Sequence, residues 1–373
     1  MSTGSLTDRA GLRRAIRDKG AGGPMAVRAI RAEIRSVLTL AGCPGCFLSA
    51  GMLRLSIPSS FLFPLTGLLL GLSGCATTDK PGSPSSRNTR DKTVQLQIFL
   101  DSRNFGPGVV DGREGEFTAK ALTAYRQAHQ LPESSLPDLS EIVPYTSYTV
   151  TPEDVAALGS MAQEPAEIAR QKRLPYVGLG ELVAERFHTT RGFIAELNPG
   201  RTIDSLPAGS VLRVPNISRP FQVESFPSGY AAAPVSAAVG RRVIVDTSYR
   251  MLEVRDGGRV IAAFPITPGS TEHPAPIGEW KIAGMAPWPW FRYDEGVLKR
   301  GERTETFFMF PPGPNSPVGI LWAGLNRPGT GIHGTAYPET IGRSGSHGCV
   351  RLANWDAASF YALVGKGTPV TIR

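Results

Sequence analysis

The chain has 373 residues, of which 41% are hydrophobic and 19% charged. This composition excludes a wholly disordered protein, and the length allows two or three compact domains. The formal net charge is +8, but residues 1–74 hold nine Lys or Arg and only three acidic residues, so residues 75–373 are nearly neutral. Because no basic stripe with interleaved aromatic residues appears, the composition argues against a nucleic-acid-binding protein.

Residues 52–74 are predicted to form a secretory signal. One positive charge, Arg54, precedes an apolar stretch that ends in small residues. That stretch is short and interrupted by two prolines, so it is a poor candidate for a membrane span. Residues 72–75 read Leu-Ser-Gly-Cys and resemble the lipobox of bacterial lipoproteins, which implies a lipid on Cys75. The alternative is that Cys75 is a small buried residue at the end of a core helix.

The sequence also allows predictions for the segments before and after this signal. Residues 1–51 are expected to result from a start codon assigned too early, with Met52 as the true first residue. Cys43 and Cys46 could form a redox or metal pair, but no second pair or His lies nearby. Residues 75–92 are polar and predict a flexible tether. Ala76 after the lipobox favours attachment to the outer membrane, facing the periplasm.

Residues 93–132 are predicted to be a small helical domain. Leu96, Phe99 and Leu100 recur at helical spacing, a turn follows at 111–112, and a second apolar face begins at Phe117. The pattern resembles the helical peptidoglycan-binding domain, with Tyr-Arg where Phe-Gln is usual. The alternative is a helical linker domain without a ligand.

Residues 146–216 are predicted to be a second module. A short strand near Tyr148, an amphipathic helix at 181–187, a turn at 197–200 and a strand at 211–215 follow one another. This order resembles a LysM module, a βααβ unit that binds glycan, with an insertion after its first strand. Such a unit could instead only support the catalytic domain. Residues 217–238 are rich in Pro and Ala and predict an interdomain linker.

Residues 239–373 predict a mainly β domain with one packed helix. Short β-branched runs recur, and Asp-Gly-Gly at 256–258 is typical of a hairpin turn. Asn354 is predicted to be the N-cap of the helix, and Gly365 to end it. The chain as a whole is therefore expected to be a multidomain α+β protein.

The candidate chemistry lies in residues 331–335, Gly-Ile-His-Gly-Thr, and 344–352, Ser-Gly-Ser-His-Gly-Cys-Val-Arg-Leu. Cys349 has no disulfide partner once Cys75 carries a lipid, and a lone exported thiol near His is a candidate nucleophile. Its thiolate is the reactive form, so a neighbouring imidazole is needed. The flanking glycines leave the amides of Gly348 and Cys349 able to face a developing oxyanion. A zinc site is the weaker alternative, since too few ligands are present, and a buried inert Cys is another.

These motifs, the following helix and the final strand resemble the L,D-transpeptidase catalytic domain of the YkuD type. The resemblance covers about 130 residues, from Arg241 to the C terminus. It implies Cys349 as nucleophile, His333 as the base that forms a thiolate–imidazolium pair, and the Gly334 carbonyl as the group that fixes the tautomer of His333. It further assigns roles to five residues around the nucleophile: His347 and Ser346 in shaping the loop, Gly348 in the oxyanion site, and Arg351, Ser346 and Thr335 in contacting substrate.

The implied reaction is acyl transfer from a peptidoglycan tetrapeptide stem through a cysteinyl thioester, with release of D-Ala. The acceptor is an amine, either of another stem, which gives a 3–3 crosslink, or of an envelope protein. Alternatives are hydrolysis of the same thioester and a non-catalytic lipoprotein that tethers the envelope to the wall. No metal or organic cofactor is expected. The expected partners are stem peptides, glycan and a membrane, and not nucleic acid.

Overall fold

The computed structural model describes residues 84–232, 239–343, 345 and 348–373. They all belong to the compact unit Ala76–Arg373. The predicted signal, the lipidation residue Cys75, and the site residues Ser346 and His347 lie outside the described residues.

Two helices, α1 (Pro84–Asp101) and α2 (Glu116–Ala128), form the first part of the described chain. They pack through Leu100 and Ala121, both fully buried. The intervening turn is held by Gln97, whose Oε1 accepts hydrogen bonds from the amides of residues 111 and 112 at 3.1 and 2.9 Å. This agrees with the two helices and turn predicted here.

Residues 84–92 are helical, although the sequence predicts them to be part of the tether. The reason lies in contacts that a sequence pattern does not show. Arg90 donates to the Asp111 carbonyl at 3.1 Å and to Glu196 Oε2 at 2.6 Å, which ties this turn of α1 to two later segments.

The next segment has the order strand, helices, strand. In sequence order its elements are β1 (Tyr145–Thr149), α3 (Pro152–Ala157), α4 (Pro165–Ile168), α5 (Leu179–Arg186), α6 (Arg191–Leu197) and β2 (Val211–Pro215). β1 and β2 pair antiparallel, and α5 packs on α6. α3 and α4 lie in the insertion that the sequence predicts after the first strand. The secondary structure therefore follows the predicted order, and the assignment to LysM stays a prediction.

Residues 221–230 pack against the C-terminal domain and Ile217 belongs to the core of the preceding module, although the sequence predicts residues 217–238 to be a linker. Phe221 and Phe226 are 2% and 4% exposed and belong to the core of that domain. Trp288 Nε1 donates to the Phe226 carbonyl at 2.9 Å. Burying two aromatic side chains provides enough apolar contact to order a Pro-rich segment. The remaining predicted linker, 233–238, lies outside the described residues.

The C-terminal domain is mainly β, as predicted. Its strands are β3 (Arg241–Asp246), β4 (Met251–Asp256), β5 (Arg259–Pro265), β6 (Gly278–Pro287), β7 (Phe291–Tyr293), β8 (Phe308–Phe310), β9 (Leu321–Leu325), β10 (Gly331–His333), β11 (Val350–Arg351) and β12 (Pro369–Ile372). Eight of them form one sheet in the order β11-β10-β9-β6-β12-β3-β4-β5, while β7 and β8 form a separate pair. The hairpin between β4 and β5 turns at Gly257 and Gly258, which both have positive φ, as the predicted turn requires.

The large sheet is curled so far that its two ends meet. Thr267, just after β5, forms an isolated antiparallel bridge with Arg351 of β11. The two residues exchange backbone hydrogen bonds of 2.9 and 3.0 Å. The short strand β11 is thus held on one side by β10 and on the other by Thr267.

The helices of this domain are α7 (Glu295–Arg300) and α8 (Asn354–Leu363), and α8 is the helix predicted near the C terminus. Its N-cap is Ala353 rather than Asn354, so the predicted cap is wrong by one residue. The cause is that the Asn354 side chain is fully buried and bonds to groups outside the helix. Within the described residues, no helix has both the length and the apolar character needed to cross a membrane.

Candidate active site

The candidate site lies where β10 and β11 run side by side. These strands are parallel, and Ile332 and His333 are the register partners of Val350 and Arg351. Ile332 and Val350 are fully buried in the core. Because side chains alternate along a strand, His333 and Arg351 occupy the opposite face of the sheet. Cys349 directly precedes β11, two residues before Arg351, so the same alternation continued by one residue would place its side chain on that face.

His333 is fixed by a hydrogen bond and by a ring contact. Its Nδ1 donates to the Gly334 carbonyl at 2.6 Å, the contact expected from the sequence. This leaves Nε2 as the unprotonated nitrogen that can accept a proton. The indole of Trp322, the register partner of His333 in β9, stacks on the imidazole with centroids 5.4 Å apart and planes at 19°.

Burial sets the charge of His333. Only 4% of the residue is exposed, and burial lowers the pKa of His333 to about 4. The hydrogen bond to Gly334 opposes this shift, while the positive charge of Arg351 adds to it. The imidazole is therefore neutral at neutral pH, which is the form a general base requires.

Cys349 lies directly before β11, beside Gly331 of β10. Its thiol donates to the Gly329 carbonyl at 3.7 Å. Burial raises the pKa of the Cys349 thiol, while a hydrogen bond from the Gly331 amide and the charge of Arg351 lower it. Burial thus favours the neutral thiol, while the Gly331 amide and the charge of Arg351 favour the thiolate that forms when the proton leaves.

The backbone before Cys349 has a conformation that suits glycine. Gly348 has φ +91°, and within the described part of the chain its amide donates no hydrogen bond. A β-carbon there would be strained by the backbone angle, although its nearest neighbours among the described residues would be the carbonyl oxygens of Pro274 and His273, at 3.5 and 4.0 Å. An unbonded amide next to the thiol is the kind of donor that an oxyanion site needs.

Arg351 supplies the positive charge of the site. Its Nη1 donates to the Gly345 carbonyl at 3.2 Å, and its buried Nε has no hydrogen-bond partner among the described residues. Burial lowers the pKa of Arg351, but the guanidinium stays charged at neutral pH. A buried donor without a partner is available to an acceptor atom of a ligand.

Thr335 is less suited to the substrate contact predicted for it. The residue is 3% exposed, and its Oγ1 accepts from the Tyr337 amide at 3.2 Å. Little of its surface is left for a ligand. The predicted roles of Ser346 and His347 cannot be compared with geometry, because both lie outside the described residues.

Three residues near the site are not identifiable from sequence patterns. Trp322 stacks on His333, Asn354 packs beneath Gly334, and Thr267 closes the sheet beside Arg351. Gly331 and Gly324 give an indirect signal for Trp322. An added β-carbon on either would lie 2.8 or 2.9 Å from the indole, so only glycine leaves room for the ring. Within the described residues, no group of three or more His, Cys, Asp or Glu could hold a metal ion.

Comparison with known proteins gives consistent results for the C-terminal domain. Residues 240–372 match the family model of the L,D-transpeptidase catalytic domain, YkuD. The chain is 27% identical over 192 residues to the "Putative L,D-transpeptidase YkuD" of Bacillus licheniformis, which covers 52% of this chain and 92% of that protein. It is 24% identical over 191 residues to the protein of the same name from Bacillus subtilis, covering 51% of this chain and 91% of that protein.

Solved structures are similar to a smaller part of this chain. A mutant L,D-transpeptidase of Enterococcus faecium is 23% identical, with a TM-score of 0.29, over 36% of this chain and 50% of that chain. An L,D-transpeptidase from Mycobacterium smegmatis is 18% identical, with a TM-score of 0.30, over 36% of this chain and 58% of that chain. The match thus spans between half and three fifths of these two structures. Residues 240–372 match the YkuD L,D-transpeptidase catalytic domain in sequence, and the curated proteins similar to this chain carry that family name.

Proposed function

We propose that this chain is a peptidoglycan L,D-transpeptidase that uses Cys349 as nucleophile and His333 as general base. The observation that carries the proposal is that His333 ends β10 while Cys349 directly precedes the neighbouring strand β11, within a segment that matches this family. Cys349 is two residues before Arg351, the register partner of His333, so the thiol and the imidazole belong to adjacent positions of neighbouring strands.

In the first step, the Cys349 sulfur attacks the carbonyl carbon of the third residue of a tetrapeptide stem, and the thiol proton passes to His333 Nε2. The tetrahedral oxyanion accepts hydrogen bonds from the amides of Gly348 and Cys349. When the C–N bond to the terminal D-Ala breaks, the imidazolium returns its proton to the leaving amine. A thioester and free D-Ala result, and no redox step occurs.

In the second step an amine attacks the thioester carbon and transfers a proton to His333, which then reprotonates the leaving sulfur. The new amide is a 3–3 crosslink or a bond between the wall and a protein. Arg351 would hold a carboxylate or carbonyl oxygen of the stem, because its buried Nε has no hydrogen-bond partner among the described residues. Ser346 and His347 remain proposed contributors to the loop, and Ser346 also to substrate contact.

The decisive experiment is muropeptide analysis with the purified enzyme and disaccharide-tetrapeptide. A crosslinked dimer together with free D-Ala is expected. Formation of tripeptide alone would instead identify a hydrolase, in which water is the acceptor. The Cys349→Ala variant is the control for both products, and D-Ala release by that variant would contradict the proposed mechanism.

We further propose that residues 93–132 and 146–216 bind peptidoglycan. The helix–turn–helix and strand–helix–helix–strand orders of these segments support this proposal. Purified sacculi provide the test: inactive Cys349→Ala enzyme should sediment with them, and deletion of residues 93–132 should weaken that binding. The proposed location is the periplasmic side of the outer membrane, held by lipid on Cys75, for which the lipobox is the support.

A further inference from the structure

Asn354, at the start of α8, connects the C-terminal domain to the preceding module. It is fully buried and makes three side-chain hydrogen bonds. Its Oδ1 accepts from the Ile320 amide at 3.2 Å, and its Nδ2 donates to the Pro314 carbonyl at 3.3 Å and to Glu185 Oε1 at 2.8 Å. The last of these crosses from one domain to the other.

Glu185 belongs to α5, in the segment that resembles LysM. The residue is only 5% exposed, and its Oε2 hydrogen-bonds with the hydroxyl of Tyr176. Burial raises the pKa of Glu185 to about 8, so the carboxyl is neutral at neutral pH. The neutral Glu185 carboxyl, hydrogen-bonded at both oxygens, links the two domains without a charge. A glutamine side-chain amide has the same shape.

Asn354 in turn lies directly against the residue that orients the candidate base. An added β-carbon on Gly334 would lie 2.2 Å from Asn354 Oδ1, and one on Gly319 would lie 2.1 Å from it. The amide therefore packs directly against the Gly334 backbone. The carbonyl of Gly334 is the acceptor for His333 Nδ1.

We propose that Glu185 is a positioning residue for His333, acting through Asn354 and the backbone of Gly334. This inference rests on the proposed role of His333 as general base. If the Asn354 amide shifts, the Gly334 carbonyl can move away from Nδ1, and the tautomer with a proton on Nε2 becomes available. That tautomer cannot accept the thiol proton, because its outward nitrogen is already protonated. The module before the catalytic domain thus contributes to the active site.

The test compares two substitutions of Glu185 with a matched change elsewhere in the same module. Glu185→Met fills a similar volume without a hydrogen bond, whereas Glu185→Gln reproduces the neutral carboxyl. Asp154→Asn is the control. Asp154 is 2% exposed and accepts a hydrogen bond from the Tyr148 hydroxyl, and its other partners are Thr151 and Arg186, so within the described part of the chain it has no hydrogen bond to the C-terminal domain.

Two quantities are measured on the full chain. The first is kcat and KM for D-Ala release from disaccharide-tetrapeptide. The second is the pH profile of Cys349 alkylation by iodoacetamide, read by peptide mass spectrometry so that other thiols do not contribute. For Glu185→Met, kcat should fall by about tenfold to a hundredfold with little change in KM, because small displacements of catalytic groups have effects of this size. Its alkylation profile should also shift, while Glu185→Gln and Asp154→Asn should resemble the wild type.

The inference is overturned if folded Glu185→Met keeps the wild-type kcat and alkylation profile, or if Glu185→Gln loses as much as Glu185→Met. It is also overturned if Asp154→Asn shifts the profile equally, since the effect would then be a general one of the module. Should Glu185→Met fail to fold, Tyr176→Phe removes only the hydroxyl that orients Glu185 and should give the same shift at smaller size. Undiminished D-Ala release by His333→Gln would refute the proposed function itself, separately from this inference.

Discussion

The side chain that buries His333 offers a direct test of its charge state. Trp322 stacks on the imidazole, and its indole lies against Gly331, so its removal opens one side of the base to water. The pKa of His333 is about 4, compared with 6.5 for a free imidazole. Burial of this ring therefore disfavours its charged form by roughly 3 kcal/mol, at 1.36 kcal/mol for each pKa unit.

Trp322→Ala should reduce the difference between the pKa of His333 and that of a free imidazole. Because water then stabilises the imidazolium, the pKa of His333 rises, and the base is lost at a higher pH as the solution is acidified. In the wild type, kcat/KM for D-Ala release should begin to fall only near pH 4. In the variant this acid limb should move up by roughly one pH unit or more.

The assay is a pH profile of kcat/KM for D-Ala release from pH 3.5 to 8, run beside Trp290→Ala. Trp290 is 57% exposed and makes no ring contact with His333 among the described residues, so its removal should leave the acid limb in place. An acid limb of Trp322→Ala that stays near pH 4, or moves lower, would refute the view that burial beneath this indole keeps His333 neutral.

Four further outcomes are expected. Cys349→Ala should abolish D-Ala release but keep the melting temperature and sacculus binding, and retained turnover would exclude Cys349 as nucleophile. His333→Gln should reduce kcat/KM far more than His129→Gln, measured on the same substrate; equal losses would contradict the assignment of the base. The pKa of His333 is lower in the folded than in the unfolded chain, so between about pH 4 and 6.5 the unfolded chain binds one more proton at this residue. The contribution of His333 to the free energy of unfolding should therefore fall by up to ~3 kcal/mol as the pH drops through that range. Chemical denaturation of wild type and His333→Gln at pH 7 and 4 measures this contribution, and an equal pH dependence of both proteins would contradict it. Cys75→Ser should move the protein from the membrane fraction to the soluble periplasmic fraction or leave its signal uncleaved, whereas a wild type without lipid would contradict the anchor.

Local patterns in the sequence predict the local features of this fold well. The hairpin at Gly257 and Gly258, the helix near the C terminus and the two helices predicted within residues 93–132 follow from turn residues and apolar spacing. The motif around Cys349 predicts the family because its residue types and spacing are specific, and the family match confirms that prediction. The catalytic roles of the individual residues stay predictions.

Contacts between distant segments could not be predicted, and they account for the differences. Phe221 and Phe226 order a segment whose Pro and Ala content is typical of a flexible linker, because they find apolar partners in a domain that follows them. Glu185 reads as one of several charged residues on an amphipathic helix, yet its partner Asn354 lies 169 residues further along the chain. No periodicity in a single sequence reveals pairings of this kind.

The closure of the sheet at Thr267 limits how a peptide can approach the thiol. The outward N–H and C=O of Arg351 already bond to Thr267, so β11 does not present the open row of backbone groups that recruits an added strand. On the proposed function, a stem peptide would not extend the sheet there and would instead lie across the face that holds His333. The same closure prevents this two-residue strand from pairing with an edge strand of another molecule. Such pairing would block access to the nucleophile.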